Sequence, residues 1–341
     1  MLFSTKAFPL YGITATLKKK GVTPLIYKHR TKPRLLSGLL ALEKRLAPTH
    51  VKYEYIQSEL YKTRAGYGGE QEYDRYMKEV RTDYPHAILH DLSLQHEGIH
   101  FQIDSLFITP DSIIISEIKN IADKIFIKAK PIQFVKQLPD GTRLLFRSPI
   151  AEVERKIQFL EKWLASRNVH LNVKGLIVFA HNNEMFIEEK PSMEVITAYE
   201  APTYFRSLTP QTHILEERDI ARIAKSLARG HKEYNPYPIT VRYKIAESDI
   251  RGGLFCSSCE IPTLMKWSDL RWGCPVCGVR EIGSHQNAVI DWFMLMSGPL
   301  TNRKFCEFTG ITNRHTAKRM LARSEIQKQG EGRGSRYTSL T

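Results

Sequence analysis

Residues 99–120 read IHFQIDSLFITPDSIIISEIKN. Two runs rich in Ile and Phe flank Pro110, Asp111 and Ser112, which predicts two β-strands joined by a tight turn. In an apolar hairpin the charged side chains are the informative ones. They are Asp104 in the first strand, and Glu117 and Lys119 in the second. Strand side chains alternate with period two, so Glu117 and Lys119 share a face. A turn at 110–111 sets Asp104 roughly opposite Glu117. Two carboxylates and an ammonium then meet on one patch of a greasy sheet.

That patch has a sharp reading and a bland one. Carboxylates on adjacent strands can hold a hard divalent cation such as Mg²⁺ or Mn²⁺ through oxygen. The lysine can orient or deprotonate a metal-proximal water, or stabilise charge on a phosphate oxygen. The bland reading is a buried salt bridge of Lys119 with Asp104 or Glu117, which gains little over apolar packing.

Upstream of the hairpin, residues 35–46 repeat apolar side chains at helical spacing, and a second helix is expected from Lys52 to about Arg64. Gly66, Gly68 and Gly69 then punctuate the chain, so a new helix is expected to begin there and run to Val80. Glu70 would sit in its first turn, either suiting the helix dipole or facing the Asp104/Glu117 patch. A strand is expected over 86–94. Downstream, strands are expected at 124–128, 142–147, 173–180 and 193–198. Ser148 and Pro149 form an N-cap and first turn for a helix carrying Ile150, Val153, Ile157, Leu160 and Leu164 on one face. Residues 216–228 read as a further helix, and 231–248 as a linker with a strand around 239–243. These elements make an α/β domain, a mixed sheet flanked by helices.

Several motifs in this order resemble one family. They are Gly66 to Glu70, His90-Asp91-Leu92, Gln102 to Ser105, Glu117-Ile118-Lys119-Asn120, Ser148-Pro149-Ile150 and Val178-Phe179. Together they resemble the NERD (nuclease-related) domain, grouped with the restriction-endonuclease-like, PD-(D/E)-x-K fold. The resemblance covers roughly residues 60–190. It implies Asp104, Glu117 and Lys119 as catalytic positions and Glu70 as an accessory acid. Ile103 precedes Asp104 where the "PD" signature has proline, as in NERD domains generally. Family members usually carry Gln three residues after the helix proline, and this chain has Glu152 there. That extra carboxylate is either a further ligand or a hindrance to phosphate approach.

Cys256, Cys259, Cys274 and Cys277 are spaced C-x2-C-x14-C-x2-C. Two such knuckles complete a tetrahedron of thiolates, which suits a closed, structural Zn²⁺ site in a small ribbon. Cys306 stands alone and reads as a helix-core residue. The last stretch reads as a helix over 285–297, a second over 302–308, a turn with a capping threonine over 309–312, a third helix over 313–323 and a glycine-tipped hairpin. This order resembles a winged-helix domain. Such a fold would offer Asn313, Arg314, His315, Lys318 and Arg319 to the major groove, with Arg333 and Arg336 on the wing. The alternative is a winged helix used for protein contact.

Charge supports an anionic partner. The chain has 50 Lys and Arg against 36 Asp and Glu, a formal +14. Residues 1–64 alone carry 13 basic and 3 acidic residues, and 284–341 carry 9 and 4. Lys18, Lys19 and Lys20, then Lys28, Arg30, Lys32 and Arg34, are placed to touch phosphates. No run approaches the roughly 18–20 apolar residues that cross a bilayer, and the first residues lack a signal pattern. A cytoplasmic protein with no membrane partner is expected, consistent with paired rather than disulfide-dense cysteines.

The expected organisation is a basic arm with helices (1–64), a nuclease-like domain (65–200), a helix and linker (201–250), a zinc ribbon (251–283) and a winged-helix-like end (284–341). The expected function is metal-dependent hydrolysis of phosphodiester bonds in DNA, with the C-terminal modules holding the substrate. The rival is a DNA-binding regulator whose nuclease-like domain is inactive, and a third possibility is action on RNA.

Overall fold

The hairpin forms as its side chains require. Strand β3 (Ile99–Ile108) pairs antiparallel with β4 (Ser112–Lys119), with Ser105 opposite Ser116 and Ile108 opposite Ile113. Thr109, Asp111 and Ser112 close the turn through side-chain hydrogen bonds of 2.9–3.0 Å. The structure is a computed structural model that describes residues 25–129, 132–188, 191–211, 215–268, 271–281 and 283–339. Lys18, Lys19 and Lys20 lie outside the described residues.

Around the hairpin stands a six-stranded mixed sheet. Its other strands are β1 (Ile26–Lys28), β2 (Ala87–His96), β8 (Asn172–Phe179) and β10 (Glu194–Thr197), in the order β1-β2-β3-β4-β8-β10. β4 pairs parallel with β8, and β8 with β10. The crossover between β4 and β8 contains helix α3 (Pro149–Ala165), which Ser148 caps through the Ala151 amide. It also contains three strands of a second sheet: β5 (Lys124–Ala129), β6 (Ile132–Gln137) and β7 (Arg143–Phe146). With β9 (Met185–Ile187) they form the order β7-β6-β5-β9. β6 and β9 have no counterpart in the sequence reading. β9 is only three residues long, too short for a periodicity to declare itself.

Each face of the large sheet has its own core. On one face α3 and α5 (Glu217–Gly230) bury Val153, Leu160, Trp163, Ile220 and Leu227 against Ile103, Ile113, Ile115 and Ile177. On the other, Tyr73 and Met77 of α2 (Tyr53–Met77), with Phe205 of α4 (Ala201–Ser207), pack on Ile88, Phe107, Ile114 and Val178.

Helix α2 corrects the sequence reading. Two helices broken at Gly66 were expected, and one unbroken 25-residue helix is found. Glu70 therefore lies deep in a helix rather than in a first turn, and its dipole role falls away. Gly69 explains why glycine is tolerated. A Cβ there would meet the Asn120 Cβ at 2.5 Å, so the residue is small because α2 lies directly against the end of β4.

A third core joins the first described helices to the C-terminal elements. It unites α1 (Arg34–Arg45), the first turns of α2, α6 (Ile239–Tyr243), the cysteine knuckles and three C-terminal helices. Those helices are α7 (Ser284–Leu295), α8 (Asn302–Thr309) and α9 (Arg314–Ala322), followed by a hairpin of β14 (Ile326–Gln329) and β15 (Arg336–Ser339). The knuckles carry a small sheet of β11 (Lys266–Ser268), β12 (Arg271–Gly273) and β13 (Arg280–Glu281). The strand expected over 239–243 is the helix α6, because Ile239, Thr240 and Tyr243 turn inward at helical spacing while Val241 is exposed. Asn313, rather than Thr312, caps α9, accepting the amides of His315 and Thr316. Arg45 ties this core together. It is 1% exposed, donates to Asp291 at 2.8 Å and to two carbonyls at 251 and 253, and lies over the Phe308 ring.

Candidate active site

Strand alternation alone would not aim these acids correctly, and a local irregularity does. Along β2, Ala87 and Leu89 join the α3-side core and Ile88 the α2-side core. Past Asp91 the phase reverses, and Leu92 and Leu94 join the α3 side. β3 reverses at the same level, with Leu106 and Ile108 on that side before the break and Ile103 and Phe101 after it. The paired residues run His90 with Ser105, then Leu92 with Ile103. Asp91 has φ of 53°, the left-handed conformation that breaks a pleat. Asp104 thus sits at a flaw in the ladder. Its Oδ2 accepts the Ile118 amide at 2.9 Å, replacing a strand carbonyl as that amide's partner.

Glu117 lies on the α3 face and is 2% exposed. Its Oε1 accepts from Lys119 Nζ at 2.6 Å and its Oε2 accepts from Lys156 Nζ. Lys119 also donates to Glu152 at 2.9 Å, and Lys156 stands 3.6 Å from Glu152. The buried salt bridge weighed from sequence is therefore present, but it is part of a wider network. Burial, reinforced by Asp104, pushes the Glu117 carboxyl up to about 7. The surrounding carboxylates outweigh burial at Lys119 and Lys156 and hold both ammoniums above their ordinary range. Burial opposes ionisation at Glu152 too, but Lys156 and Lys119 prevail and lower it.

Glu70 enters from the α2 side through Arg30. The guanidinium donates to Glu70 at 2.6 Å, to both oxygens of Asp74 at 2.9 and 3.1 Å, and to the Asp104 carbonyl at 2.7 Å. Burial and Asp104 push Glu70 up to about 8 despite that contact. Behind it, His90 Nδ1 lies 3.1 Å from Asp74 and from Ser105. Burial, then Arg30, holds the His90 ring down to about 3.

Sequence reasoning missed Lys156 and Arg30. Lys156 had a signal, since it follows Glu152 by four residues on one helix face. Arg30 had only the wrong one. The basic segment was read as a phosphate contact, yet three of its four described cations turn inward or onto acids. Arg30 is buried, Lys28 donates to the carbonyls of His90 and Asp91, and Arg34 pairs with Glu233. The half-buried acids Glu70 and Asp74 supply the reason, because a carboxylate there without its partner would be costly.

Residues 65–180 match the family model of the nuclease-related domain, NERD. This part of the chain is a nuclease-related domain. No curated protein and no solved structure matches the chain. The NERD span contains Glu70, Asp104, Glu117, Lys119, Glu152 and Lys156. Arg30 reaches into its site from outside that span.

Beyond the NERD domain, the sulfurs of Cys256, Cys259, Cys274 and Cys277 lie within 4.8 Å of one another. Cys256 is 3.6 Å from Cys277, and Cys259 is 3.5 Å from Cys274. Four thiolates about 2.3 Å from a tetrahedral zinc would stand roughly 3.8 Å apart, so the cluster is compatible with structural zinc. Among the described residues no other group of three or more His, Cys, Asp or Glu side chains meets that spacing. Cys306 stays outside the cluster, near Asn302. Of the residues expected to read nucleic acid, Arg314, His315, Lys318, Arg319 and Arg336 are exposed. The Asn313 side-chain oxygen is taken by its capping role, and the Arg333 side chain lies outside what is described. No described helix is long and apolar enough to cross a membrane.

Proposed function

We propose that the NERD domain hydrolyses phosphodiester bonds in DNA, with a divalent metal held by Asp104 and Glu117. The observation that carries this reading is the convergence of Asp104, Glu117, Glu152, Lys119 and Lys156 at one break in an otherwise apolar sheet. An oxygen-only donor set of this kind suits Mg²⁺ or Mn²⁺. When bound, such a metal acidifies a water and offsets phosphate charge. Ile118 N–H fixes the Asp104 carboxylate, so its second oxygen is pre-aimed. Lys119 and Lys156 hold Glu117 from both sides and offer N–H donors to a phosphate oxygen. Glu152 keeps both ammoniums in place, and Glu70 with Arg30 braces the main chain at Asp104.

In this reading the knuckles, α7–α9 and the terminal hairpin form a zinc ribbon and winged-helix module that grips the duplex. Arg314, His315, Lys318 and Arg319 lie on the exposed face of α9 and Arg336 on the hairpin. Ala317, Met320 and Leu321 bury the opposite face of α9. Plasmid, linear DNA and RNA incubated with purified protein and Mg²⁺ or Mn²⁺ test the proposal, beside Lys119→Ala and Glu117→Gln. Cleavage by wild type that both variants lose supports it. Equal cleavage by all three, or none on any substrate, overturns it.

One observation favours a second reading, a DNA-binding protein without catalysis. Both Glu117 oxygens are taken by lysines, and Glu152 occupies the position where relatives carry Gln. Mn²⁺ binding that Asp104→Asn abolishes decides for the enzyme. Tight DNA binding with neither metal uptake nor cleavage decides for the regulator.

A further inference from the structure

The second sheet is inserted between the two elements that build the active site. It begins at Lys124, five residues after Lys119, and β7 ends at Phe146, six residues before Glu152. Its inner face is accounted for, since Ile125, Ile127 and Phe134 are fully buried in the α3-side core. Its outer face has no partner among the described elements. Strand register lines up one residue from each strand there: Phe186 beside Phe126, Phe126 beside Val135, Val135 beside Leu145. Phe186 is 40% exposed and Leu145 is 67% exposed.

This row has both an aromatic and a cationic character. The Phe126 and Phe186 rings stack with centroids 4.6 Å apart and planes 9° from parallel. Arg143 lies 5.0 Å from the Phe126 centroid and Lys124 lies 5.9 Å from that of Phe186. The next row in register is Lys124, Gln137 and Arg143, which places donors alongside the rings. Residues 121–147 carry six Lys or Arg against two Asp, and Glu184 and Glu188 on either side of β9 pair with Lys124 and Lys128, which leaves Arg143 as the cation beside the rings. β9 is the edge strand, so the stacked pair ends at an open edge where a further planar ring would extend it.

We infer that this outer face is a binding platform for single-stranded nucleic acid, whose bases stack on Phe186 and Phe126 while Arg143 contacts the phosphates, Lys124 being held by Glu184 at 2.8 Å. Stacked aromatics flanked by cations are what an unpaired strand requires, because every base has a π-face and a duplex hides it. A duplex would meet only the row's scattered cations. The inference rests on the nuclease reading for its purpose, since the sheet is inserted between β4, which carries Glu117 and Lys119, and α3, which carries Glu152 and Lys156. The platform is separable from catalysis because it shares no side chain with the acid–lysine cluster.

The experiment is fluorescence anisotropy of a labelled twenty-nucleotide oligo-dT and a labelled duplex of the same length. It uses the full chain in buffer without added Mg²⁺, so that no strand is cut and the cysteine site is undisturbed. The Phe126→Ala/Phe186→Ala double variant is expected to bind oligo-dT about tenfold or more weakly, by the usual worth of base stacking, with duplex binding unchanged. Phe186→Trp is expected to retain or improve oligo-dT binding. Arg143→Glu, at an exposed position whose described contact is the Phe126 ring, is expected to weaken oligo-dT binding several-fold and flatten its salt dependence. The inference is overturned if the folded double variant and Arg143→Glu both bind oligo-dT as wild type does, or if wild type binds only duplex. Platform binding without cleavage at any metal concentration would sink the nuclease reading and leave this one standing.

Discussion

Glu117 carries an ammonium on each of its two oxygens, and that single carboxylate decides how the site behaves. Lys156→Ala is expected to free one oxygen and raise the apparent affinity for Mn²⁺, while lowering cleavage because a phosphate donor is lost. Titration of Mn²⁺ by electron paramagnetic resonance, beside a cleavage assay, separates the two effects. At His90 the consequence is a pH dependence of stability. Its folded value is held down to about 3, against about 6.5 in an unfolded chain. Below pH 6.5 the unfolded chain takes up a proton that the folded chain refuses, so stability falls as pH falls. Between pH 7 and pH 5 wild type should lose about 2 kcal/mol relative to His90→Gln, read as the difference between their urea unfolding curves. Glu70 and Glu117 act in the opposite sense, gaining protons on folding between about pH 8 and 4.5, but both proteins share that contribution. At Arg45, Asp291→Ala leaves a fully buried guanidinium beside Lys44 with its ion-pair partner removed. Such a loss costs about 3–5 kcal/mol, measurable as a lower urea midpoint.

Helix α2 shows how an element can defy its own composition. Its glycines weaken it locally, yet packing on both ends keeps it whole, with Ile56 and Leu60 in one core and Tyr73 and Met77 in another. Two glycines three residues apart should respond with opposite signs. Gly66→Ala meets no atom within 4 Å and should stabilise by about 1 kcal/mol through helix propensity. Gly69→Ala drives a methyl into Asn120 and should destabilise by about 1–3 kcal/mol. Thermal unfolding of the two variants checks the pair. Because Asn120 follows Lys119, Gly69→Ala is also expected to lower cleavage.

At the scale of the whole molecule, helix α1 is fastened to the knuckles and the C-terminal helices through a core of its own. Cys256, Cys274, Trp272 and Met265 of the ribbon share a core with Leu39 and Leu42 of α1 and with Trp292 and Leu295 of α7. Removing the metal proposed for the four cysteines should therefore loosen more than the ribbon. Chelation is expected to lower hydrogen-exchange protection across residues 254–281, α1 and α7 while β3, β4 and β8 stay protected, because their cores are separate. Uniform loss of protection across the molecule would show that the cores are not separable. The same architecture explains why the basic N-terminal segment gave a misleading signal. The fold turns Lys28 toward Asp91 and Arg30 onto Glu70 and Asp74 of the NERD domain.

The hairpin of residues 99–120, the knuckle cysteines and the helix after Ser148 were all legible in the chain itself. Each is local, since period-two alternation, C-x2-C spacing and an N-cap depend only on near neighbours. Asp104, Glu117 and Lys119 could be named from one turn and its register, but the aim of Asp104 comes from the break in the β2–β3 ladder at Asp91, which alternation does not announce. Only the tertiary structure decided that α2 is continuous and that Arg30 and Lys156 complete the site. Those outcomes hang on contacts between residues tens to hundreds of positions apart, where burial and pairing of charge outweigh local propensity.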